Sequence, residues 1–336
     1  MNDKQKAIHS SKENQVRLRF LFPNEIIATI RKTMLKLTPT NMEYSKTFCK
    51  ASPPKMLELN NSKHTVVEFF KVAPLSHYYT IRQIGRRRSI VKKRKSRCFM
   101  TEIIIGIPGE WKNRTELIQA VATQSEGYLL AGHVLHNIEK DMTFHVEVYE
   151  YEPHLKEAFS YASKGAFPES LLTEIDHHTF TVYIIAEVSD FEAVVNLIDA
   201  GEALLKAGGM AVKIETSRIA HTKEAWHNLQ QNPDVIPVYA HFVTIIGEDD
   251  HYGSFGMKAF GLPDVVTPNT MSPKDAVTLL STFNFYNLGE RPSFTSGQDF
   301  RIKSDAPTFT LTSRQDFRYE EEHPFYNPYG LWSLEK

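Results

Sequence analysis

Glu215, His221 and His241 are the residues of this chain best suited by type and setting to acid–base work. Glu215 stands at the end of an apolar strand, His221 just before a helical stretch, and His241 inside the apolar run Val235–Ile246. A carboxylate and two imidazoles within hydrogen-bonding reach could support hydrolysis or proton transfer. A lone histidine beside a strand is more often a hydrogen-bonded structural residue, so their meeting in space decides the matter. Asp176-His177-His178 has the composition of a metal-binding triplet. It precedes a strand rather than following one, and Ile103–Ile107 supplies no aspartate, so a polar helix-to-strand turn is expected there. His133 and His136, read on one strand, point to opposite faces and do not chelate one ion. Glu248-Asp249-Asp250-His251 reads as a solvated turn rather than a hard-cation loop. Ser254 lacks the spacing of a nucleophile elbow, and no glycine-rich phosphate loop is present. No metal and no cofactor are expected.

The charge is divided sharply along the chain. Residues 1–100 hold 22 Lys+Arg against 6 Asp+Glu, whereas residues 101–336 hold 17 against 34. The basic part ends in its densest run, with Arg86, Arg87, Arg88, Lys92, Lys93 and Arg94. Such a run could bind phosphates of nucleic acid without sequence preference. A solvated tail, or above all sequence upstream of a folded unit that starts near Met100, is the reading favoured over it. Residues 1–99 are therefore expected to form a basic, poorly structured arm, in which only Pro23–Leu37 reads as helical. Its Ile26, Ile27, Ile30, Met34 and Leu37 recur at helical spacing. Both cysteines, Cys49 and Cys98, lie in this arm. Residues 101–336 thus have no disulfide and no thiolate nucleophile, and a cytoplasmic location is expected. No stretch of about 20 apolar residues is present, which argues against a membrane span.

The acidic body reads as α+β. Ile103–Ile107 is a buried strand, Asn113 with Glu116 opens a capped helix, and Tyr128–Leu135 returns as a strand. Thr143–Tyr151 alternates as a half-buried strand, and a helical stretch from Glu152 to Ile175 is broken at Gly165 and Pro168. The pattern then starts again. Thr179–Val188 is β-rich, Ser189 with Glu192 opens a second capped helix, Gly208-Gly209 closes it, and Met210–Ile214 is a strand. We therefore expect two related strand–helix–strand halves, at about 101–177 and 178–336, with mixed or antiparallel sheets packed against helices. Val235–Ile246 reads as a central strand, and Ser272-Pro273 starts a late helix.

Gly256-Met257-Lys258-Ala259-Phe260-Gly261-Leu262-Pro263-Asp264 is the most specific local signal. It reads as a glycine-started helical turn with Met257 and Phe260 inward, stopped at Gly261, after which Leu262-Pro263 feeds an extended stretch. The segment resembles a turn of the bacterial domain-of-unknown-function family numbered 4261. His178–Val188, Gly208–Glu215 and Ile219–Trp226 are also similar to that family, most closely over about 178–266. The resemblance implies no activity and no catalytic residue. With no nucleophile, metal cluster or phosphate loop, the sequence favours a non-enzymatic protein that binds a partner or small ligand. A basic protein suits the acidic body, as in a toxin–immunity pair. The alternative is a hydrolase or proton-transfer enzyme with its site between the halves.

Overall fold

The computed structural model describes residues 18–20 and 101–336. Among these, seven α-helices and fourteen strands form two seven-stranded sheets over one shared apolar core. Strand β1 is Leu18–Phe20. The body opens with β2 (Thr101–Gly109), α1 (Arg114–Gln124), β3 (Tyr128–Ala131), β4 (Val134–Asn137), β5 (Met142–Glu150), α2 (Leu155–Ala162), α3 (Glu169–Asp176) and β6 (Phe180–Val188). Next come α4 (Phe191–Lys206), β7 (Ala211–Ile214), β8 (Ile219–Thr222), α5 (Lys223–Gln231), α6 (Val235–Phe242), β9 (Thr244–Gly247) and β10 (His251–Phe255). A 3-10 turn at Met257–Phe260 leads to β11 (Asp264–Pro268), α7 (Pro273–Glu290), β12 (Asp299–Phe300), β13 (Phe309–Arg314) and β14 (Leu331–Glu335). The fold is α+β, as the composition of its segments predicts.

The first sheet has the order β3-β4-β5-β6-β2-β7-β8 and is antiparallel throughout. Helices α1 and α4 cover one face, burying Leu117 and Val121 of α1 and Val194, Leu197, Ile198 and Leu205 of α4 in the main core. The caps are local and strong. Asn113 accepts from the Glu116 amide, and Asp190 accepts from Ala193. Asp190, not Ser189, therefore starts α4; the Ser189 hydroxyl donates to the second Asp190 oxygen. Trp111 closes the far end of this layer, its indole N–H donating to the Ala207 carbonyl at 2.8 Å.

Both expected strand–helix–strand units are present, as β2-α1-β3 and β6-α4-β7, but they do not form halves. They interleave: β6 lies directly beside β2, and β2 separates β6 from β7. A boundary at 177/178 would cut the long β5–β6 pairing, where Glu150 faces Phe180. The chain passes from one sheet to the other after β8: β9 to β14 join β1 in the second sheet.

That second sheet has the order β1-β9-β10-β11-β14-β13-β12, with β11 and β14 its one parallel pair. Its long helix α7 is capped by Ser272 and buries Leu279, Leu280 and Phe283. The run read as a central strand, Val235–Ile246, is α6 followed by β9. Asp234 caps that helix through the Val235 amide, Pro237 sits in its first turn where no amide is needed, and Val238, Tyr239 and Phe242 are buried together. Tyr128–Leu135 is a hairpin rather than one strand, turning at Gly132 with φ +60°. The body does not stand wholly apart from the basic segment. Leu18–Phe20 pairs antiparallel with Gly247–Ile245, so β1 and not β9 forms that edge of the second sheet. Pro23–Leu37 and the Arg86–Arg94 run lie outside the described residues. Among the described residues, no helix is long and apolar enough to cross a membrane.

Candidate functional site

The hairpin β7–β8 decides the fate of the three expected acid–base residues. Val212 faces His221 across the pair and Lys213 faces Ala220, and directly opposed residues share a face. His221 thus lies on the side of Val212, which belongs to the main core. Glu215, two residues beyond Lys213, lies on the other side. The two histidines do meet, with ring centres 4.4 Å apart, but Glu215 is not with them.

His221 donates from Nε2 to the His241 carbonyl at 3.0 Å, and His241 donates from Nδ1 to the Pro237 carbonyl at 2.7 Å. A carbonyl oxygen only accepts, so these bonds fix both tautomers and leave His221 Nδ1 and His241 Nε2 as acceptors. Burial lowers the His221 pKa to about 3, helped by the neighbouring His241, and burial also lowers His241. Both rings are uncharged near neutral pH. A base that weak takes little part in proton abstraction at pH 7, but it accepts a hydrogen bond well. His221 borders a cleft of about 210 Å³ between the α2–α3 turn, β8 and α6. Ala162, Ala166, Phe167, Ala220 and Ala240 give it apolar walls, and Lys164 stands in its lining.

Glu215 belongs to a second group that the sequence reading did not single out. Its carboxylate accepts from Lys213 Nζ at 2.5 Å, and both side chains are buried. It also lies against Tyr183, since a Cβ on Gly106 would sit 3.2 Å from its Oε1 and 2.8 Å from the Tyr183 ring. Tyr183 donates to Glu152 at 2.9 Å. Burial raises the Glu152 pKa, and the Glu215 charge adds to the rise. The signal for this group was Lys213-Ile214-Glu215: two charges on one face of a strand otherwise apolar.

The conspicuous turn at Gly256–Pro263 is a structural hub. Gly256 and Gly261 have φ of +116° and +70°, and Met257 and Phe260 are buried, as expected. The turn delivers Asp264 into a buried ionic network. Asp264 accepts from the Ser254 hydroxyl, the Met257 amide and the Asn327 side chain, at 3.0, 3.2 and 2.8 Å. Arg318 reaches Asp264 at 3.4 Å and Asp316 at 2.9 Å, and lies over the Phe255 ring. Lys258 donates to the Pro324 and Tyr326 carbonyls. Burial lowers the Lys258 pKa to about 8 against the attraction of Asp264 and Asp316. The network holds the segment 316–327 onto the second sheet.

The remaining motifs resolve as structure. His178 donates from Nδ1 to the Ile175 carbonyl and accepts the Glu152 amide at Nε2, so the Asp176-His177-His178 triplet is a capped turn. His133 sits in the β3–β4 turn and His136 in β4, rather than on one strand. His251 pairs with Asp250 and approaches Glu248 at 3.6 Å. Among the described residues, no group of three or more His, Cys, Asp or Glu is placed to hold a metal ion. Compared with known protein families, with curated proteins and with solved structures, the chain matches none.

Proposed function

We propose that the chain is a non-enzymatic binding protein and that the cleft lined by His221 receives a small ligand. The ligand has an apolar body and carries a hydrogen-bond donor. One observation carries the reading: the His221 imidazole, locked by the His241 carbonyl and held neutral by burial, lines an apolar-walled cleft with its Nδ1 left as an acceptor. Recognition sites commonly combine apolar walls with a few fixed polar groups. The enzymatic alternative has weaker support, because Glu215 stands on the opposite face of β7 from His221. A cytoplasmic location is part of the same proposal and rests on the lack of cysteine after residue 100. The likeness of Gly256–Pro263 to family 4261 stands as a proposal that adds no activity.

Phenol is a suitable probe, being a ring with one strong donor. Titration into isotope-labelled full chain should shift the amide resonances of Phe167, Ala220 and Ala240, and His221→Phe should abolish those shifts. Resonances that stay fixed up to the solubility of phenol would refute the assignment of this cleft.

A further inference from the structure

Helix α7 runs through the core, and Leu279 to Phe285 are buried without a break. A helix in that setting is expected to be apolar all round. Yet Ser281, Asn284 and Asn287 recur at every third position, and they are 0%, 0% and 3% exposed. Polar side chains so deeply placed call for an account of each bond they make.

Asn284 donates from Nδ2 to the Tyr239 hydroxyl of α6 at 3.1 Å, and the Ser281 hydroxyl lies beside the same oxygen. Asn284 Oδ1 meets no hydrogen-bond partner among the described residues, and neither does Asn287 Nδ2. One polar atom of the Asn284 amide is left over whichever way that amide is turned, because Tyr239 serves only one of the two. A buried polar atom without a partner carries its full desolvation penalty. Residues three apart on a helix are surface neighbours, with Cβ atoms about 5–6 Å apart. Two hydrogen bonds of about 2.9 Å that meet at one oxygen span such an interval.

We propose that Asn284 Oδ1 and Asn287 Nδ2 together hold one internal water molecule. The chemistry of the pair selects this ligand. Asn284 Oδ1 needs a donor and Asn287 Nδ2 needs an acceptor, so an anion fails the first and an ammonium group fails the second. Water serves both. The Tyr239 and Phe285 rings pack 4.2 Å apart beside the amide, and an interior filled this closely admits little more than a water.

The position bears on the cleft. Asn284 holds Tyr239, the next residue Ala240 lines the cleft, and the His241 carbonyl fixes the His221 ring. A water that completes Asn284 backs this wall from the core side, whether or not the cleft takes a ligand.

The test is water-selective nuclear Overhauser spectroscopy on the isotope-labelled full chain. The side-chain amide signals of Asn287 are identified by their loss in Asn287→Leu. Cross-peaks from water to those protons are expected, with the sign of the protein's own contacts, because an internal water outlasts molecular tumbling. No cross-peak, or one of opposite sign, overturns the proposal. Exchanging hydroxyl protons can imitate the signal, so the double variant Tyr239→Phe, Ser281→Ala is measured as well. Cross-peaks that persist there support the water, and cross-peaks that vanish overturn it. Urea unfolding gives an independent reading. Asn287→Leu takes a partner from the water and should lower the unfolding midpoint. A raised or unchanged midpoint would mean that the substitution removed only an orphan donor, and it overturns the proposal too.

Discussion

Acidification should destabilise this protein through His221, and the size of the effect follows from its surroundings. The folded-state pKa is about 3, because burial penalises the charged ring, against about 6.5 for an exposed histidine. Below the higher value the unfolded chain binds a proton that the folded chain refuses. Stability from this residue is thus fully present above pH 6.5 and is lost as the pH falls toward 3. Between about pH 7.5 and pH 5 the loss is about 2 kcal/mol, from about 1.4 kcal/mol per unit below 6.5. His241 and His178, also lowered by burial, add losses of the same sign. Comparison with His221→Gln removes their share. The glutamine amide can still donate to the His241 carbonyl but does not titrate. Urea unfolding at both pH values should show a stability drop about 2 kcal/mol smaller in the variant than in the parent. Equal drops would mean that His221 is protonated in the folded state, and the acceptor role given to its Nδ1 would fall with it.

Two further substitutions probe the hub. Asp264→Ala takes from buried Arg318 one of its two carboxylate partners and strips Ser254, Met257 and Asn327 of their acceptor, and should cost about 3–5 kcal/mol in urea unfolding; a cost under about 1 kcal/mol would show the network to be slack. Gly256→Ala places a Cβ 2.1 Å from the Phe242 carbonyl at a φ of +116°, so soluble folded protein should fall sharply, as read by circular dichroism; a native melting curve would refute the close approach.

Local signals in the sequence located most helices, because a cap is a short-range event. Asn113 and Ser272 start their helices where the spacing of oxygen and amide predicts. Helix α6 was misread for a physical reason. Val235, Ile236 and Val238 have strand-like shapes, and the deciding factors are the Asp234 cap and the burial of Val238, Tyr239 and Phe242 on neighbouring elements. The two strand–helix–strand units were legible, but their interleaving depends on which strands pair, a choice made between residues as distant as Ile105 and Ile184. At the site, the pairing of His221 with His241 was legible as a possibility only. The separation of Glu215 follows from strand parity through one hairpin, which could have been counted from the sequence had its turn been placed. Asp264 and Arg318 gave no such hint, because their contact spans 54 positions.

The place of β14 in the middle of the second sheet has a bearing on biosynthesis. As the polypeptide emerges, the β9–β11 hairpins and the β12–β13 ribbon can form early, but they have nothing to join them. Only when residues 331–335 have cleared the ribosome can the seam between Val265 and Leu311 close. Until then two unsatisfied edges face each other across a gap, the state in which a nascent chain is most open to mispairing with a neighbour or capture by a chaperone.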